Sequence, residues 1–217
     1  MSDIFQEVDE EVRREQLKKL WERYGHYAVA AAIAAVIGVG VWRGYEWWEA
    51  KKAAESGAAF EAAATLTEEG KRGEAEAAFA KIIADGTAGY RDLARLREAA
   101  ELAQTDPKAA IAAYDKIAAN GAVGPVLRDL AALRAGALLV DAGSFAEARE
   151  RLEPLAANDR TFRYTAREFL VLAAWRASDS AAAKRWSDMI MTDAQTPAAT
   201  RSRVEMLMAL GPGESKG

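Results

Sequence analysis

Apolar and polar positions follow three rhythms along the chain. Over residues 1–23 they alternate with helical period: Ile4, Phe5, Val8 and Val12 share one face among charged neighbours. From Tyr24 to Trp48 the pattern is nearly all apolar, and between Ala28 and Val41 there is no charge at all. After Lys52 the helical period returns, now broken at intervals. Short breaks fall at "EEGKRGEAE", "AQTDPKAA", "DAGSFAEAR" and "ASDSAAAK", and longer ones at "ADGTAG", "ANGAVGP", "ANDR" and "DAQTP". Val/Ile/Thr alternation of the kind that makes a sheet is missing. The pattern predicts an all-α chain: an amphipathic helix over 1–23, an apolar helix over 24–48, helical hairpins over 49–210, and a disordered tail over 211–217.

The apolar run is long enough to cross a bilayer. Tyr24 to Trp42 spans about 28 Å as helix, against roughly 30 Å of hydrocarbon. Its flanks decide between membrane and soluble core. Trp21, Tyr24 and Tyr27 precede it, and Trp42, Tyr45, Trp47 and Trp48 follow it. Rings with an apolar body and a polar tip favour the two headgroup layers. A core helix has no reason to carry two aromatic belts one membrane thickness apart. A cleaved signal would need an unusually long leader, and Trp42-Arg43-Gly44-Tyr45 is a poor cleavage neighbourhood. An uncleaved transmembrane anchor is therefore expected.

Charge sets its direction. Arg13, Arg14, Lys18, Lys19 and Arg23 lie before the run, and Arg43, Lys51 and Lys52 after its core. That excess puts the N-terminus in the cytoplasm and everything after Trp48 outside it, in the periplasm of a Gram-negative cell. The leading segment has Ser2 as a candidate N-cap and two i,i+4 pairs of favoured polarity, Glu10 with Arg14 and Glu15 with Lys19. It reads as a solvated helix continuing into the membrane, or as a docking helix for a cytosolic partner. His26, the one histidine, sits at the membrane edge and reads as a residue reaching the interface. Gly40 and Gly44 form a small-xxx-small pair at the far boundary.

Aligning the short breaks exposes a repeat. Ala75 is followed by Phe79, Ala110 by Tyr114, Ala148 by Leu152, and Ala182 by Trp186. Ile82, Ile117, Leu155 and Met189 follow three residues later. The interval is ~34–38 residues, close to that of tetratricopeptide repeats. A small Ala lets two helices approach closely, and the large residue one turn on plugs the gap to the next hairpin. Gly136 and Leu139 occupy the corresponding first-helix positions in the third repeat only. About four hairpins are expected, with "PAATRSRVEMLMAL" capping the last open face. If first helices line the concave side, Arg95, Leu133, Tyr164, Arg167 and Trp175 face a protein partner there, since Arg and aromatics dominate binding energy; the same spacing fits Leu133 and Trp175 in the core and the arginines in solvent.

Composition removes most chemistry. The chain has no cysteine, which excludes disulfides, thiol catalysis, zinc fingers and a lipoprotein anchor. A single histidine leaves no His-based metal site and makes a Ser-His-Asp triad improbable, and no nucleophile elbow or phosphate loop occurs. A net charge of −4 argues against a nucleic-acid surface. No cofactor, metal or small-molecule substrate is expected.

The whole layout resembles the YfgM-type ancillary subunits of the SecYEG translocon. The resemblance rests on Tyr24-Gly25, on "GVGVWRGYEWW" from Gly38 to Trp48, and on the Ala-x-x-x-large hairpins, above all "REFLVLAAWRASDSAAAKRW". It implies a non-enzymatic inner-membrane adaptor that assists secreted proteins at the channel's periplasmic exit, with a membrane-anchored periplasmic chaperone of prolyl-isomerase type. The alternative is a membrane-anchored tetratricopeptide scaffold for another envelope complex, such as wall synthesis or outer-membrane assembly.

Overall fold

Ala, Leu, Glu, Arg and Lys, the strongest helix formers, dominate the chain. Helix is accordingly almost its whole regular structure. The computed structural model describes residues 3–211. It is 83% helical, and no strand occurs among the described residues, which fixes the all-α class. Ser2 and residues 212–217 lie outside them, so the N-cap and most of the tail expected there do too. The side chains of Ile4, Phe5, Val8, Glu10, Val12 and Glu15 are likewise outside the described set, with the face and ion pairs expected of them.

The chain divides into two compact units, Met1–Glu55 and Ser56–Gly217. The first is one helix. α1 (Asp3–Glu68) carries the amphipathic segment and the apolar run without a break, and its last turns belong to the second unit. One helix in the described chain, within Trp21–Glu68, is long and apolar enough to cross a membrane. Only 6% of its most apolar window is buried, whereas a soluble core helix would be mostly covered. Val36, Ile37, Val39 and Val41 all lie exposed along it.

The second unit is an array of helical hairpins. The end of α1 pairs with α2 (Arg72–Asp85), α3 (Ala88–Leu102) with α4 (Pro107–Ala119), α5 (Pro125–Ala142) with α6 (Phe145–Leu152), and α7 (Arg163–Arg176) with α8 (Ser180–Thr192). A 3-10 turn, Glu153–Leu155, extends α6, and α9 (Ala198–Ala209) follows the last hairpin. Local chemistry sets each corner. In the first turn Gly70 adopts φ 76°, and the Lys71 and Gly70 N–H groups donate to Leu66 and Thr67 carbonyls. The fourth turn repeats the motif with Ser178 at φ 58°. There Asp179 N–H closes back on Ala174 and Ser178 N–H on Trp175. Asp106, Ser144 and Asp179 then cap the following helices by accepting from Ala109, Glu147 and Ala182 N–H. Ser144 and Glu147 form a reciprocal capping box, and the Ser144 backbone N–H holds the Glu147 carboxyl below its ordinary pKa.

Burial follows these caps. The residue four positions after each cap is a fully covered Ala: Ala75 after Lys71, Ala110 after Asp106, Ala148 after Ser144, and Ala183 after Asp179. Eight positions after the cap stand Phe79, Tyr114, Leu152 and Ser187, and eleven after it Ile82, Ile117, Leu155 and Ile190, all buried. The fourth repeat therefore corrects the register expected for it. Ala182 is half-exposed, and Ala183, Ser187 and Ile190 hold the places assigned to Ala182, Trp186 and Met189. In "SAAAK" three alanines compete for one site, and only the cap decides between them. Trp186, next to Ser187, is buried in the cluster that links α5 to α9.

Three apolar clusters result. Phe60, Phe79, Ile82 and Ala94 join the end of α1 to α2 and α3, with the Phe60 and Phe79 rings edge-on at 5.6 Å. Tyr114, Ile117, Val123 and Ala131 join α4 to α5, and burial raises the Tyr114 hydroxyl's pKa. The largest links α5 through α9 around Leu152, Leu170, Ile190 and Val204.

Candidate protein-interaction surface

Two stretches of the chain present surface that packing does not use. The first is the apolar run. All seven belt residues, Trp21, Tyr24, Tyr27, Trp42, Tyr45, Trp47 and Trp48, stand about half or more exposed. At the C-terminal belt Lys51 and Lys52 extend over the Trp47 and Trp48 rings, at 5.7 and 4.6 Å. At the other end Arg23 lies over Tyr24 at 5.6 Å, and the His26 ring tilts against Tyr27 at 4.0 Å. Each belt thus carries cations against its rings, an arrangement suited to a headgroup layer with phosphate outside and hydrocarbon inside.

The second is the hairpin array, and here the structure separates residues that helical spacing groups together. Leu133 is buried in the α5–α9 cluster and faces no partner. Arg167 is 1% exposed, and its placement on a partner-facing side is corrected. Its Nε donates to the Ala156 carbonyl at 2.9 Å, one terminal nitrogen to Asn158 Oδ1 at 2.5 Å, and the other to Asp193 Oδ2 at 3.1 Å. A guanidinium enclosed this way is a crosspiece between the loop after α6 and the loop after α8. Asp193 has its pKa lowered by the Gln195 backbone N–H, then by Arg167 and Arg163. Trp175 is half-buried, and its indole N–H donates to the Gly211 carbonyl. It is tied to Gly211, just after α9, and does not join Arg167 on a shared exposed face. Tyr164 is half-exposed under Arg163, which lies 4.2 Å over its ring. Arg95 is half-exposed beside Asp92 at 3.0 Å.

The spacing of small and large residues does not reveal a second feature, a set of polar ties between successive hairpins. Arg151 of α6 donates from two nitrogens to Asp115 of α4, at 3.2 and 2.9 Å. Arg176 of α7 reaches Asp141 of α5, and Arg185 of α8 reaches Glu153, each at 2.8 Å. Arg203 of α9 grips both oxygens of Glu168 of α7, at 2.5 and 2.8 Å. Every partner lies roughly one repeat away, a periodicity of Arg against Asp or Glu that the sequence does contain.

Hairpins built on small-against-large packing and tied edge to edge define a helical repeat array, a class that works by offering surface to other proteins. The chain belongs to the tetratricopeptide repeat-like domain family, which it matches over residues 18–184, apolar run included. No curated protein and no solved structure matches it. Domains of this kind mediate protein–protein interactions and are typically non-catalytic scaffolds.

Proposed function

We propose that this protein is a membrane-anchored, non-enzymatic adaptor, its N-terminus cytoplasmic and its hairpin domain periplasmic. Within the inner membrane it assists secreted proteins at the exit of the Sec translocon, together with a membrane-anchored periplasmic chaperone. The observation that carries the reading is the pairing of two features in one chain. An apolar helix with cationic aromatic belts lies open to its surroundings, and the same chain continues into a scaffold of interaction repeats. With Leu133 and Arg167 inside the core, Tyr164 and Arg95 remain as the contact residues of the proposed partner face.

Anchoring is tested with a reporter that works only outside the cytoplasm, fused after Lys52; activity is expected. A silent fusion, together with extraction of the protein by carbonate, would sink the anchor. The partner is tested by in-cell crosslinking from the hairpin domain with identification of the products. Channel subunits and a prolyl-isomerase-type chaperone are expected. Recovery of a wall-synthesis or outer-membrane assembly complex in their place would move the adaptor to that machinery.

A further inference from the structure

Asparagine occurs twice in the chain, each time at a joint between hairpins: Asn120 after α4 and Asn158 after α6. The two are held differently. Asn158 Oδ1 accepts from the buried Arg167, and Asn158 is followed by Asp159, whose side chain hinders approach to its own backbone nitrogen. Asn120 is exposed and is followed by Gly121, also exposed. A Cβ added to Gly121 would meet nothing within 4 Å, and among the described residues its N–H donates to no partner. Asn120 Oδ1 accepts from the Ala122 N–H at 3.0 Å, which closes a ring containing the Gly121 nitrogen and polarises the amide carbonyl. Asp85-Gly86, a pair open to the same ring chemistry by sequence, is locked. The Gly86 N–H donates to the Ile82 carbonyl at 2.8 Å, and that oxygen lies 2.6 Å from where a Cβ would stand.

We propose that Asn120-Gly121 is a site of spontaneous covalent modification, where the side-chain amide is lost and the main chain is rerouted as isoaspartate. The Gly121 nitrogen gives up its proton and bonds to Asn120 Cγ. The Cγ–Nδ2 bond breaks, the amide nitrogen takes up a proton and leaves as ammonia, and a cyclic imide remains. Water opens that ring at either carbonyl, giving aspartate or isoaspartate. One water enters and one ammonia leaves, with no change of oxidation state. Ring closure requires the Gly121 peptide to turn from the ψ of 106° that Asn120 holds, a movement that a residue without Cβ and with a free N–H allows. The products loosen the joint between hairpins two and three. The Asn120 carbonyl accepts from the Val123 N–H at 3.0 Å, and Val123 is 2% exposed in the α4–α5 cluster. Isoaspartate turns that carbonyl into a side-branch carboxylate and lengthens the main chain by one carbon. Either product adds a negative charge at the C-terminal end of α4, where the helix dipole is already negative.

Peptide mapping by mass spectrometry tests this on the full-length protein in detergent, held for weeks at neutral pH and physiological temperature. The mass gain of an amide-to-acid exchange is expected in the peptide that contains Asn120 and not in the one that contains Asn158. Isoaspartate-specific methylation should label the same Asn120 peptide and leave the Asp85 peptide unlabelled. Gly121→Ala, which fits the open site, should lose both signals. Aged native protein should melt at a lower temperature than fresh protein, and the aged Gly121→Ala variant should not. Equal conversion at Asn120 and Asn158, labelling at Asp85 equal to that at Asn120, or undiminished conversion in Gly121→Ala would overturn the site. A melting temperature unmoved by full conversion would overturn the loosening of the joint.

Discussion

A hydrogen atom is all that position 136 accommodates. A Cβ built on Gly136 would come within 2.5 Å of both Cγ and Cδ2 of Leu152, which is fully buried and cannot swing away. Helix propensity alone favours Ala over Gly by about 1 kcal/mol, and overpacking opposes it by about 1–3 kcal/mol. Gly136→Ala is therefore expected to destabilise the domain, as a lower midpoint in denaturant titration. A stabilised variant would mean that α5 and α6 can separate freely. Arg167 acts at the same scale. Arg167→Ala strips two loops of their shared donor and is expected to lower the denaturation midpoint, so its effect on any partner is read only beside a folding control. Asp193 supplies a pH signature. Its folded pKa is depressed, so its stabilisation is present above the ordinary aspartate pKa of about 3.9 and fades as pH falls through the lower folded value. The stability gap between the native chain and Asp193→Asn should be widest near neutral pH and close on acidification. A gap that stays constant down to pH 2–3, on the order of one to two units below that pKa, would show that the carboxylate is not held by these donors.

The helix scale shows what spacing can and cannot reveal. Hairpin corners are legible because they are made of residues with few alternatives: Gly70 at a left-handed position, Asp106, Ser144 and Asp179 at caps, Pro107 and Pro125 at first turns. The register inside a helix is legible only where small and large residues are scarce enough to be unambiguous. Ala148 and Leu152 satisfy that condition, since α6 offers only Ala146 and Phe145 as rivals. The fourth repeat does not, because Ala181, Ala182 and Ala183 are interchangeable by type and Trp186 draws the alignment one place early. Ala183→Leu should therefore lower the thermal midpoint, with a cost of about 1–3 kcal/mol, and Ala182→Leu should do so much less. Equal effects in thermal melts would restore the earlier register. The partner face is illegible for a related reason. Spacing puts Tyr164 and Arg167 on neighbouring positions of α7, but Arg167 is enclosed by Ala156, Asn158 and Asp193, which come from loops on either side of the helix. No local pattern reports a partner that arrives from elsewhere in the chain.

For the molecule as a whole, the long apolar helix and the repeat class can be read from sequence because each is a bulk property, one of unbroken hydropathy and the other of period. The ties between hairpins are made of exposed pairs, which in general contribute about 0–1 kcal/mol each and weaken with salt. Arg151 is the best covered of them, with its side chain 26% exposed, and two of its nitrogens engage Asp115. Arg151→Gln should lower the melting temperature at low ionic strength, while Arg185→Gln, with a single hydrogen bond and a ring contact to Trp186, should move it less. Raising the salt should bring the native chain toward the Arg151 variant. A native melting temperature indifferent to salt would leave apolar packing as the whole source of cohesion.

These ties also have a sense. In each of the four, the guanidinium belongs to the later helix and the carboxylate to the earlier one. Each of these four ties is thus a plug and a socket. A hairpin copied in frame would meet its neighbours plug to socket, so such an array can lengthen by duplication without a new joint being invented. Turned end for end, the same unit would set arginine on arginine and be refused.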